Sequence, residues 1–329
     1  MDEKWSYLYI IMLYITAAGS ISVKPLCIYI IIKKTPKYMT SVSYFILNEL
    51  IWNFVGNLMF TLAHPIPMLP AVCFRMDGVV GSLLKTELQR SIFLIAIVIT
   101  VFNCVLAFVT TFLFRYVTIA YSRFISQVDK AWCYFSCIVV HSVLSILVAL
   151  SFHYWWVPIS EYPFLTDLPE DKENMFCYHP VGSEIVTVFS FFFSFFGVAL
   201  FCGILFAGLS IRELRIQSKH MEKKTLSMQK EILRNLLITA GIAASLGGTP
   251  LVIALFYLYN NQLPFSQAIV SGSLVITLNF GTLYASLVLS RFKAYREAFL
   301  GLIKGTCKTL QVAVGVGKQS NTISSSTIF

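Results

Sequence analysis

From Asn235 to Ser290 the chain runs 56 residues without one Asp, Glu, Lys or Arg. As one helix that stretch would be about 84 Å long, far more than a bilayer core of roughly 30 Å. It must therefore fold back on itself. The break is legible at Tyr259-Asn-Asn-Gln-Leu-Pro264, where Asn, Gln and Pro interrupt the apolar pattern. Five more uncharged runs, Trp5–Val23, Leu50–Phe74, Ser91–Phe114, Ala131–Ser160 and Ile185–Ile211, are each of spanning length. The expected fold is an all-α membrane protein, a bundle of seven transmembrane helices near 6–32, 41–67, 86–119, 132–158, 185–211, 229–258 and 265–290. Only 12% of residues are charged, against roughly 25% in soluble domains, which excludes a soluble enzyme. Eight Cys in 329 residues likewise exclude a small disulfide scaffold.

The surplus of basic residues, 25 Lys+Arg against 16 Asp+Glu, sits mostly in alternate connections. Connections one, three and five and the tail hold 19 of the 25, including Lys33, Lys34, Lys37, Arg115, Arg123, Lys130, Arg212, Lys219 and Arg291. Positive loops stay cytosolic, so the N-terminus is expected outside and the C-terminus inside, and the +9 charge is no nucleic-acid footprint. A cleaved signal peptide competes for the first segment at Ala17-Ala18-Gly19-Ser20, but Asp2 and Glu3 spoil its basic start and hydrophobicity resumes to Ile32. Residues 1–304 form the expected seven-transmembrane domain, and 305–329 a flexible cytosolic tail.

Two charges fall deep inside the spans, Lys24 on the first and Glu49 on the second, each about 12 Å from the inner end. Their matching depth on antiparallel neighbours suggests an ion pair. The alternative is that Lys24 reaches for the interface while Glu49 is protonated or bonds to Asn48, Asn53 or Trp52. One deep carboxylate argues against a proton relay. The five His are scattered, no His or Cys spacing suits a metal, and Gly315-Val-Gly-Lys318 lacks phosphate-loop spacing, so neither cofactor nor catalytic group is expected. Cys73 and Cys177 both fall on the outer, oxidising side, where a bridge would pin the second outer loop over the mouth of the bundle; unpaired thiols are the alternative.

Shorter motifs point to a family. Thr35-Pro36-Lys37-Tyr38-Met39 resembles the Thr-Pro-x-x-Met first inner loop of nematode serpentine chemoreceptors, G-protein-coupled receptors of the class h and class i branch of the Str superfamily. Met228-Gln229-Lys230 and Tyr295-Arg296 are similar to that branch's Gln-Lys and Tyr-Arg signatures, and His64-Pro65-x-Pro67 and Cys177 before Pro180 fit less closely. The chain departs at Phe112-Leu113-Phe114-Arg115-Tyr116, where such receptors commonly place an acid two residues before the Arg, and at Asn279-Phe280-Gly281-Thr282-Leu283-Tyr284 in the seventh span. The missing acid implies raised basal activity or a partner for Arg115 from another helix.

The resemblance implies a plasma-membrane chemosensory receptor, in the sensory cilium of a neuron, that couples to a heterotrimeric G protein through Arg115 and the inner part of the sixth span. That part carries Lys223, Lys224, Lys230 and Arg234, with Met221, Leu226, Met228, Ile232 and Leu233 as apolar surface. These bases also attract anionic membrane lipid, or serve only to set topology. Pro250 after Gly247-Gly248 marks a kink in that span. After the seventh span, Phe292, Tyr295, Phe299 and Leu302 form the apolar face of an amphipathic interfacial helix at 291–304, and Cys307 beyond it is either palmitoylated or a free thiol. A small, volatile or weakly polar odorant-like ligand is expected in the outer half, lined by Phe93, Ile97, Thr100, Phe189, Phe192, Phe193, Phe196, Phe256 and Ser271, although aromatic density at helical spacing is more often packing. The competing class is a ligand-gated cation channel or small-solute transporter, which would need facing polar rings that the spans lack.

Overall fold

The computed structural model describes residues 3–121, 127, 129–164, 166, 168, 172–219 and 221–304. Arg123, Asp167, Glu170, Asp171, His220 and the tail from 305, with Cys307, lie outside these. Seven helices are long and apolar enough to cross a membrane, and they form one bundle. They are α1 Glu3–Lys34, α2 Thr40–Ala63, α3 Glu87–Ala120, α4 Lys130–Trp155, α5 Ser183–Gln217, α6 Lys223–Tyr259 and α7 Ser266–Arg291. A further helix, α8, runs over 293–304. The third helix starts with a capping box, in which the Thr86 hydroxyl accepts from the Gln89 N–H while the Gln89 side chain accepts from the Thr86 N–H.

One end of the bundle is roofed by a small antiparallel sheet: β1 Pro65–Pro67, β2 Cys73–Met76, β3 Trp156–Val157 and β4 Met175–Tyr178, in the order β1-β2-β4-β3. The second helix stops four residues before its expected end at 67. His64 takes a left-handed conformation, φ 46°, and Pro65 and Pro67 cannot continue a helix, so the chain turns into β1. Cys73 and Cys177 lie opposite each other across β2 and β4 and are joined by a disulfide. Beneath the sheet, Trp155, Phe176, Tyr178, Phe189 and Phe192 are all essentially buried, with Trp155 stacked on Tyr178 at 4.6 Å. The Trp155 indole N–H donates to the His179 carbonyl at 2.8 Å, and the hydroxyls of Tyr178 and Ser91 meet at 3.1 Å. Buried polar tips with partners let aromatics close this end without stranded polar groups.

His64 sits in this roof, its ring edge-on to Tyr14 at 4.9 Å, and its Nε2 is buried without a partner. Burial pushes the imidazole below its usual range, partly opposed by Asp77. The fold therefore favours neutral His64. Its stabilising effect is present above the ordinary imidazole value of about 6.5 and is lost as pH falls through and below it. The melting temperature in nanodiscs is expected to drop between pH 7.5 and about 5.5, and less steeply in His64→Asn, which tolerates the same backbone; equal slopes would remove His64 from the account.

The opposite end is basic. A second apolar cluster there joins Cys27, Ile30, Ile46, Phe112, Ile232, Leu236, Val288, Phe292 and Tyr295. Phe292, just before α8, and Tyr295 on it are 3% and 0% exposed, so this side of the helix packs on the bundle.

Candidate functional site

The Phe-rich run of α5 folds around one ring. Phe102 of α3 has the rings of Phe191, Phe192, Phe195 and Phe196 within 4.6–5.8 Å. Phe189 packs on Trp155, and Phe93 packs against the same core. Phe93, Phe189 and Phe192 are thus packed into the core nearest the sheet, and none of them lines the central cavity. Phe193 and Phe256 point outward, 37% and 48% exposed, and Ser271 is buried on α7 outside the lining of the central cavity.

The cavity lies deeper, in the middle of the bundle, with a volume of about 410 Å³. Of the expected residues, Ile97, Thr100 and Phe196 line it. Small residues recur in its wall: Gly56 on α2, Ala199 on α5, and Ala243, Ala244, Gly247 and Gly248 on α6, with Gly56 closely packed on Thr100 and Gly247 on Phe280. On α2 the lining includes Glu49, Asn53 and Asn57, which recur every four residues and so form one polar stripe about 12 Å long. That spacing is visible in the sequence, and it is the signal that aromatic counting missed.

Lys24 and Glu49 are both buried here, and neither bonds the other. The Glu49 Oε2 accepts from the Tyr284 hydroxyl at 2.8 Å, and the Lys24 ammonium reaches the Asn53 carbonyl at 3.5 Å. A tyrosine on α7, 235 residues away in sequence, replaces the expected ion pair, and Asn48 instead faces His141 at 3.3 Å. Each polar group has a neutral partner, which limits the cost of burial.

Gly281 explains why α7 lacks a side chain opposite this stripe. A Cβ there would overlap the Asn53 amide. Gly281→Ala is expected to lower cell-surface expression at least about threefold, since overpacking costs about 1–3 kcal/mol, and Asn53→Ala in the same chain should recover most of it. Independent, additive losses would show that the close approach is not the cause.

In the cavity wall, α6 departs from α-helix: Ala243–Gly248 is a π-helical segment, followed by Thr249-Pro250. The proline has no N–H to give, and the widened turn absorbs the break. About 21 Å from Ala243 along the same helix toward the basic end lies Gln229. The Arg115 guanidinium, 4% exposed, donates from Nη2 to the Gln229 carbonyl at 3.0 Å and to its side-chain Oε1. Arg115 has its partner from another helix, as one of the two expectations had it. Leu113 is 37% exposed, because two positions along a helix is more than half a turn from Arg115.

Two further motif residues meet at this end: the hydroxyls of Thr35 and Tyr295 lie 3.0 Å apart, tying the first connection to α8. Lys223, Lys224, Lys230 and Arg234 are all exposed. Ile232 and Leu233 are not part of that surface, at 5% and 4% exposure, and Met221 and Leu226 lean on the cluster of Ile119, Leu214 and Leu233. Among the described residues, no three of His, Cys, Asp and Glu converge as a metal-holding group.

A comparison with curated proteins returns no match. A family comparison matches residues 4–305 to the family described as serpentine type 7TM GPCR chemoreceptor Srh, from the start of α1 past the end of α8. With its seven spans and a match over nearly its whole length, this multi-pass membrane protein belongs to the Srh family of serpentine seven-transmembrane chemoreceptors.

Proposed function

We propose that the chain is a plasma-membrane receptor of a sensory cilium, with the sheet end outside. It binds a small, weakly polar odorant-like ligand in the central cavity and activates a heterotrimeric G protein at the basic end. The observation that carries this reading is that one helix serves both sites. The π-helical wall of the cavity and the Gln229 partner of Arg115 are both on α6. A ligand pressing on Ala243–Gly248 acts at the weakest point of that helix, and a swing of its basic end parts Gln229 from Arg115. Arg115 is then free for the G-protein α-subunit, while exposed Lys223, Lys224, Lys230 and Arg234 offer it a cationic rim and hold anionic lipid headgroups.

The test is expression in a cell carrying a promiscuous Gα, with Arg115→Ala and Lys230→Ala/Arg234→Ala alongside the unaltered chain. Ligand-evoked G-protein responses should fall at least about tenfold in Arg115→Ala and more modestly in the double variant. Responses that persist through these changes and through removal of the G protein, carried as an ionic current, would overturn the reading in favour of a channel.

A further inference from the structure

The cavity reaches the side of the bundle. Toward the sheet, the rings of Trp155, Tyr178 and Phe189 are packed together, each at most 2% exposed. At the side, α5 and α6 touch at both ends, through Phe189 and Tyr259 at 5.4 Å and through Leu214 and Leu233. Between these contacts the cavity wall holds Ala199 of one helix and Ala243, Ala244 and Gly248 of the other, small residues that fill little space. Leu200, Val252 and Ile253 line the cavity and are also 56%, 38% and 39% exposed on the outer surface of the bundle, where lipid lies. The same side chains thus belong to both the cavity and the membrane face.

Inside, an acceptor on the cavity wall lacks a partner. Asn57 is 3% exposed and lines the cavity; its amide nitrogen donates to the Leu278 carbonyl at 2.7 Å, and its Oδ1 is buried without a hydrogen bond. Asn53 Oδ1 is also unpaired, but it is wedged against Gly281. Asn57 therefore has an unmet acceptor at the cavity, while one of its two amide N–H groups is already bonded to Leu278. A buried acceptor left unmade is costly, so a ligand that supplies a donor is strongly preferred over an isostere that cannot.

From these observations together we infer that the cavity takes an uncharged lipophilic molecule bearing a hydroxyl, which arrives from the bilayer between α5 and α6 and donates its O–H to Asn57 Oδ1. An ammonium would suit an acceptor too, but a charge is disfavoured along a lipid route. The inference rests on the receptor reading and narrows its ligand class.

The full chain in nanodiscs would be photolabelled with azioctanol, an eight-carbon alcohol carrying a diazirine, with 1-octanol and 2-octanone as competitors. Labels are expected on Val101, Cys104 or Val105 of α3. 1-Octanol should displace them at a concentration at least about tenfold below that of 2-octanone, Asn57→Leu should erase most of that preference, and Leu200→Trp, at the rim, should slow labelling. Equal competition by alcohol and ketone, labelling confined to outward residues such as Ile204, or unchanged labelling kinetics in Leu200→Trp would overturn the inference. If Asn57→Leu fails to fold, the alcohol-to-ketone ratio in the unaltered chain decides. The receptor reading is judged separately, by basal nucleotide exchange that requires no ligand.

Discussion

Receptor carrying Gln229→Ala is expected to drive ligand-independent nucleotide exchange on its G protein about tenfold faster than the unaltered chain. Arg115 is buried at the basic end and its Nη2 is held by two acceptors, both from Gln229. Alanine keeps the backbone carbonyl and removes the side-chain acceptor. A hydrogen bond to a charged group contributes about 1.5–3 kcal/mol, and each 1.4 kcal/mol is tenfold in a two-state population. The bond joins α3 to α6 only while they are close, so its loss favours the parted arrangement by that factor. Gln229→Glu runs the other way: it sets a carboxylate against the guanidinium, the charge that position 113 lacks, and basal exchange should fall below that of the unaltered chain. Arg115→Ala removes the lock and the coupling group together and should stay silent. Basal nucleotide exchange on membranes, normalised to surface receptor, reads all three, and an indifferent Gln229→Ala with an indifferent Gln229→Glu would dispose of the lock.

The architecture was legible because it depends on a bulk property. Seven charge-free stretches of the right length admit few other folds in a solvent without hydrogen-bonding partners, and the helix limits shifted by only a few residues. What the residues could not disclose was which face of each helix looks inward and what stands opposite. Phe191, Phe192, Phe195 and Phe196 look like a pocket in one dimension and form a packed shell in three, because Phe102 occupies the space among them. Glu49 and Lys24 agree in depth, yet Tyr284, remote in sequence, takes the carboxylate. Small residues recur in the cavity wall, and glycine and alanine carry no chemical signature that marks an absence of packing. The partner of Arg115 was half legible: the missing acid left raised basal activity or a partner from another helix open, and only the packing of α6 on α3 identifies Gln229.

Removal of the Cys73–Cys177 bridge is expected to be the most damaging of all the changes considered. The bond closes a separation of 104 residues, for which the chain-entropy account gives about 4.7 kcal/mol. It also fixes the register of β2 on β4, and β4 carries the Phe176 and Tyr178 rings that plug the bundle above Phe189. Cys73→Ser, Cys177→Ser and the double variant should each cut surface expression to below about a tenth. The double should be no worse than either single, because all three lose the same bond. Flow cytometry of an N-terminal tag measures this, and a double variant that reaches the surface and melts like the unaltered protein would show that the roof holds by packing alone. The fraction that does reach the surface is informative in a second way. If ligand came through the roof, loosening it should speed azioctanol labelling of the cavity; with access from the bilayer between α5 and α6, the labelling rate should be unchanged, because the rim at Leu200, Val252 and Ile253 does not depend on the sheet.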